Sequence, residues 1–270
     1  MSHAQSPVRG WPSPPWRVIP VRSALHGLGE LLVTVGLVVL LFVGYETYVT
    51  NLFSAQKQRE ATAKLDDIWR NGRGLVERPV TGAGIAKLYI PSFGPDFVFT
   101  VLQGTDADTL AIGPGHYQRT AAPGELGNFA VAGHRVGKGS PFNDLDLLSS
   151  CDAIVVETAD RWYVYRVLPL QGEPTGWAEG KGAQLQCRGV EPLLGRYAGV
   201  VGKTIVAPSQ VEVIAAVPGQ PGRAPIKSLI TLTTCHPQFS AAQRLIVHGV
   251  LVASYRKLGG RRPVELTAGA

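Results

Sequence analysis

The carboxy-terminal third holds two side chains able to do chemistry together, the thiol of Cys235 and the guanidinium of Arg244. Cys235 closes the run 228–235, SLITLTTC, and Arg244 immediately precedes the run 245–253, LIVHGVLVA. Both runs alternate and are rich in β-branched residues, the pattern of half-buried strands. The link 236–244 contains Pro237 and small polar residues, so the strands are expected side by side, with the thiol leaving one where the guanidinium enters the other. A cation beside a thiol favours the thiolate and can steady an oxyanion. A buried structural cysteine beside a solvated arginine would leave the same pattern.

Such a thiol needs a proton carrier, and the chain has six histidines. His3 and His26 lie too near the amino terminus to serve. His236 neighbours Cys235, but adjacent side chains of an extended chain point to opposite faces. His248 falls inside a strand-like run. His116 and His134 both stand in glycine-flanked loops after strand-like runs, where catalytic groups concentrate. The residues by themselves leave both open.

Thr231-Leu232-Thr233-Thr234-Cys235-His236-Pro237, with Arg244-Leu245-Ile246-Val247 beyond, resembles the signature of the sortases, exported cysteine transpeptidases of Gram-positive bacteria. Upstream, Gly113-Pro114-Gly115-His116-Tyr117, Pro123-Gly124, Gly127-Asn128 and Ala132-Gly133-His134-Arg135 resemble the block that carries the family's histidine. The likeness runs over roughly 85–255, and the Thr-Cys-His-Pro run and amino-terminal apolar segment are most similar to class E. It implies catalytic roles for Cys235, His134 and Arg244, with Tyr117 and Thr234 as substrate contacts. It also implies a C-terminal sorting signal of LPXTG or LAXTG type on secreted proteins, transferred to a peptidoglycan precursor or stem-peptide amine, with no cofactor.

Other chemistries fit poorly. Gly202-Lys203-Thr204 resembles the end of a phosphate loop, but Tyr197 stands where the loop needs glycine. The spacings of metal ligands are missing, and so are base-stacking aromatics interleaved with cations, so nucleic acid is not an expected partner. An L,D-transpeptidase would need Cys-x-Arg, and Arg244 is nine residues beyond Cys235. A catalytically silent, membrane-tethered scaffold or binding module stays open as an alternative.

The elements that must position these groups form a mainly β fold. Segments 85–90, 97–103, 128–132, 153–158, 161–170, 204–206 and 211–217, with the two runs above, predict a nearly closed barrel. The sortase resemblance implies a barrel of about eight strands. Ser140-Pro141 predicts the start of a short helix over 142–148. Residues 1–23 read as a basic tail. Residues 24–49 read as a transmembrane anchor, because 31–45 is uncharged and the span approaches the ~20 apolar residues of a bilayer crossing. Residues 50–81 read as a stalk, 82–258 as the catalytic domain and 259–270 as a flexible tail. The expected placement is single-pass, with the amino terminus cytoplasmic and the domain outside, against the lipid bilayer. The net charge of +6 is too small a surplus to name a partner.

The chain departs from the sortase pattern at an insertion, 171–202, which contains Cys187. In an exported protein with three cysteines, one of them a free nucleophile, two are left to pair. A Cys151–Cys187 disulfide is therefore expected to tie the insertion to the barrel.

Overall fold

The computed structural model describes residues 21–45, 50–72 and 79–267, so parts of the expected tails, span and stalk lie outside the described residues. The chain divides into two compact units, Met1–Gly44 and Tyr45–Ala270. The first contains α1 (Val21–Gly44), whose stretch Leu25–Gly44 is long and apolar enough to cross a membrane. Its large apolar side chains from Leu25 to Val43 are exposed, the reverse of a core helix.

The second unit opens with α2 (Thr50–Arg70), the segment read from sequence as a stalk. It lies against the domain, although its apolar face is nearly reduced to one buried residue, Leu65. Polar contacts do most of the docking. The amide of Gln58 donates to Thr100 O at 3.0 Å and accepts from Thr100 N at 2.9 Å, as a neighbouring strand would. Lys87 reaches Asp66 at 2.6 Å, and Lys257 sits 4.4 Å above the Trp69 ring.

The domain is built from nine strands: β1 (Gly84–Tyr89), β2 (Val98–Gln103), β3 (Gly115–His116), β4 (Gly127–Ala132), β5 (Ala153–Glu157), β6 (Arg161–Val167), β7 (Lys203–Val206), β8 (Ser228–His236) and β9 (Gln243–Arg256). Eight close a barrel in the order β6-β5-β1-β2-β3-β4-β8-β9, with β9 bonding back to β6. The pairs β2–β3 and β4–β8 are parallel and the rest antiparallel. The long β9 can serve two partners, β7 along 244–247 and β6 along 249–256. The barrel is filled by alternate residues such as Leu88, Val101, Phe129, Val131, Ile230, Leu232, Leu245 and Val247, joined by Phe142, Leu145 and Leu148 from the β4–β5 crossover. Truncating one such leucine to alanine removes about 2–5 kcal/mol.

The mainly β barrel agrees with the sequence reading, and three local expectations are corrected. Residues 141–148 do not form a helix, since only Leu145–Leu147 makes a single 3-10 turn. Ser140 has φ 41°, left-handed rather than the extended backbone of a cap, and donates to Gly137 O instead. Residues 211–217 alternate like a strand but turn as a 3-10 helix over Val211–Ile214, because Ala215 and Gly219 both donate to Glu212 O. The strand expected over 161–170 ends at Val167.

The insertion 171–202 holds turns and short 3-10 helices; Leu185 and Leu194 are exposed, but four of its large side chains are anchored. Leu193 and Tyr197 pack with Leu168, Val217, Leu229 and Val250, while Trp177 and Val190 pack around the Cys151–Cys187 pair. Those two cysteines are bonded, with Cα atoms 4.9 Å apart. Of the residues read as a flexible tail, Pro263 is buried and Glu265 holds Arg166 at 3.0 Å.

Candidate active site

β4 and β8 run parallel with a constant offset of 101, from Gly127↔Ser228 to Ala132↔Thr233. The same offset carries past the ladder to Gly133/Thr234 and His134/Cys235. Two bonds maintain it there: Gly133 N–H donates to Thr233 O at 3.0 Å, and the Thr234 hydroxyl donates to Gly133 O at 2.8 Å. On the other side, β8 and β9 pair Cys235 directly with Arg244.

Phe129, Val131, Ile230, Leu232, Leu245 and Val247 fill the barrel, so alternate positions carry Ala132, Thr233 and Ile246 on the outer face. His134, Cys235 and Arg244 continue that outer series. By that alternation they share one face, with Cys235 and Arg244 paired on β8 and β9 and His134 just past the end of β4 at the same offset from Cys235; neighbouring strands lie about 4.8 Å apart. The three catalytic candidates named from sequence are thus brought together.

His134 leaves β4 through Gly133, whose missing Cβ makes room for the Phe142 ring; an added Cβ would lie 2.5 Å from it. Phe142 N–H then donates to His134 O at 3.0 Å, closing the loop. Burial, and secondly the Lys138 charge, hold the His134 imidazole below its ordinary proton affinity, so it is neutral at pH 7. Its Nε2 is buried and has no hydrogen-bond partner among the described residues. Cys235 is half-buried and unbonded. Arg244 donates through Nη1 to the carbonyls of Ala241 and Gln243, both at 2.9 Å, which holds its planar fork against the β8–β9 connection.

Tyr117 follows β3, and its hydroxyl meets Thr233 Oγ1 at 3.1 Å, one step before Cys235 on the same face. Thr234 is placed differently from the substrate-contacting role expected of it. It is buried, alternates away from Cys235, and its one hydroxyl hydrogen is given to Gly133 O, so it clasps β8 to the His134 loop.

His116 is bonded through both ring nitrogens, to Gln103 Oε1 at 2.8 Å and Ala121 O at 3.1 Å, and is structural. His248 is buried, its Nδ1 2.8 Å from Thr231 Oγ1, which itself donates to Asn128 Oδ1. Its burial pulls its pKa down to about 4.

The sequence reading missed Arg135. This buried guanidinium donates to His236 Nδ1 at 3.0 Å and pairs with Asp146 at 2.9 Å, tying the residue after His134 to the residue after Cys235. The 101 offset would have exposed the first contact; no local pattern marks Asp146. A cleft of about 260 Å³, lined by Thr204, Val206, Gln210, Glu212 and His248 among others, includes none of His134, Cys235 and Arg244 in its lining. It adjoins Arg244 through the Val206↔Arg244 pair.

Comparison with known proteins is consistent with this geometry. Residues 88–252 match the family model of the Sortase domain. The chain is 30% identical to sortase SrtE2 of Streptomyces coelicolor, over 89% of this chain and 87% of that protein. It is 31% identical to SrtE1 of the same organism over 88% of this chain, but spans 60% of that protein's length. Among solved structures it is similar to the SrtF sortase from Corynebacterium diphtheriae, with 46% identity, a TM-score of 0.62 and coverage of 70% of this chain and 94% of that one. With its closed barrel and the family match over most of the domain, the chain belongs to the sortase family of cysteine transpeptidases and is class E-like.

Proposed function

We propose that this chain is a membrane-anchored transpeptidase that cleaves an LAXTG- or LPXTG-like sorting signal and transfers the protein to a cell-wall amine. The observation that carries this reading is the Cys235↔Arg244 pair on β8 and β9, with His134 just past the end of the neighbouring strand β4 at the ladder's own offset from Cys235.

The neutral imidazole of His134 takes the Cys235 proton, and the thiolate attacks the carbonyl of the signal's threonine. The S–C bond forms, and the carbonyl electrons move to oxygen, where the Arg244 guanidinium faces the developing charge. As the oxyanion collapses, the C–N bond breaks and the His134 imidazolium protonates the departing amine. A thioester remains; the incoming amine gives its proton to His134 and displaces the thiol. Dividing one amide exchange into two acyl transfers lowers each barrel-bound step's barrier.

Tyr117, one step before Cys235 on the same face, contributes to the choice between alanine and proline in the signal. The apolar helix α1 serves as a single-pass anchor with the basic tail cytoplasmic and the domain outside, among sorting-signal proteins and peptidoglycan stem or precursor amines.

The test is the full chain in detergent with LAXTG and LPXTG peptides and an amine acceptor, read by mass spectrometry. The expected result is an amine-linked product and a trapped thioester, both lost in Cys235→Ala. Equal product from Cys235→Ala would refute the proposal.

A further inference from the structure

The loop 135–140 that follows His134 takes a course ordinary residues avoid. Gly137, Lys138, Gly139 and Ser140 have φ of 64°, 51°, 79° and 41°, four consecutive left-handed residues of which two carry side chains. Such conformations persist only where surrounding contacts fix them. Within the loop, Ser140 returns its N–H and its hydroxyl to Gly137 O. The central amides point instead to the first turn of α2. Gly139 N–H donates to Asn51 Oδ1 at 2.9 Å, and Lys138 N–H reaches Thr50 Oγ1 at 3.4 Å.

That turn is itself fixed independently of the loop. Buried Ser54 donates to Ala111 O at 2.8 Å, Gln58 completes the backbone bonding of Thr100, and Leu65 is buried further along the helix. The helix is therefore a rail fastened to the barrel, and the His134 loop hangs from its near end. At the loop's other end, Phe142 N–H bonds His134 O, so displacement of 138–139 is transmitted to the histidine's own backbone.

We propose that Asn51, assisted by Thr50, is a positioning residue for His134: the first turn of α2 holds loop 135–140 in the course that sets where the imidazole stands relative to Cys235. This rests on the reading of His134 as the proton carrier. Asn51 touches neither substrate nor thiol, and acts through the loop.

Asn51→Leu removes the acceptor, whereas Asn51→Asp keeps an oxygen in its place. In the full chain in detergent, Asn51→Leu is expected to lower kcat about tenfold with KM within twofold of the parent, because small misplacements of a catalytic group are costly in rate. Asn51→Asp is expected to restore kcat to within about threefold. Deuterium exchange across 135–140 should rise in Asn51→Leu alone, with the barrel strands unchanged. The proposal is overturned if Asn51→Leu turns over like a parent whose activity Cys235→Ala abolishes, if the loss falls on KM alone, or if Asn51→Asp is as poor as Asn51→Leu. Should the parent show no Cys235-dependent transfer, the transpeptidase reading fails on its own. Exchange then decides: selective loosening of 135–140 upholds the positioning contact, and unchanged exchange removes it.

Discussion

Replacing Cys151 and Cys187 together by alanine tests how the insertion is held. The bonded cysteines are 36 residues apart. Closing a loop of that length in the unfolded chain removes about 13 cal/mol/K of entropy, or roughly 3.8 kcal/mol at 25 °C. For the roughly 220 residues of barrel and α2, an unfolding entropy near 2.1 cal/mol/K per residue gives about 0.46 kcal/mol/K, so the melting midpoint should drop by about 8 °C. The native fold should persist, because Trp177, Val190, Leu193 and Tyr197 still bury their side chains. Neither cysteine belongs to the row of His134, Cys235 and Arg244, so turnover at 25 °C should stay within about twofold of the parent, as for sites without shared partners. Calorimetry of both proteins, with and without reductant, gives the shift. Alkylation of the unreduced parent gives the thiol count, expected to be one. Three reactive thiols, or a double variant melting within 2 °C of the unreduced parent, would refute the reasoning.

Arg244→Ala should lower peptide transfer by roughly a hundredfold or more. Arg244→Lys should rescue little of it, since an ammonium cannot satisfy two carbonyls and still face the oxyanion as a planar fork does. Removing the neighbouring cation in Lys138→Gln should raise the pH at which His134 titrates, because imidazolium then meets less repulsion; NMR titration of the imidazole reads the direction, and a downward move would contradict it. His248 gives a stability signature. With a folded pKa near 4 against an ordinary 6.5, the unfolded chain binds its proton first, so stability is full above about pH 6.5 and falls as pH drops towards 4. The loss amounts to roughly 3 kcal/mol at the lower end, and urea titrations of the parent and His248→Gln should show it flattened in the variant.

The sequence disclosed what local pattern can encode. The alternation of 228–235 and 245–253 reports one buried face each, and a short link leaves few registers, so the facing of Cys235 and Arg244 was legible. β3 was not, because Gly115 and His116 are too few to show a period. α2 was legible as a stalk but not as a helix docked on the barrel. Its anchors are Ser54, Gln58 and Asp66 as much as Leu65, and hydrogen bonds from polar side chains leave no apolar stripe to read. Residues 211–217 misled for the opposite reason: VEVIAAV alternates, yet Val217 is buried while Val211 is exposed, so the two do not share a face.

His134 shows where local reading ends. Its place depends on a parallel pairing of β4 with β8 across 101 residues, with β5, β6, β7 and the insertion between them. Two equally glycine-flanked histidines, His116 and His134, could not be separated by pattern, and the family resemblance chose between them. The structure supplies the physical reason. His116 has both nitrogens engaged, whereas His134 lies just past the end of β4 at the ladder's offset from Cys235, and its buried Nε2 has no partner among the described residues. Three successive residues use the same offset for different ends. Gly133 takes the Thr234 hydroxyl on its carbonyl, His134 falls at the same offset from Cys235, and Arg135 grips His236. Neighbours on both sides of His134 and Cys235 are thus bonded across the strands, the support that the proposed proton exchange between the two would need.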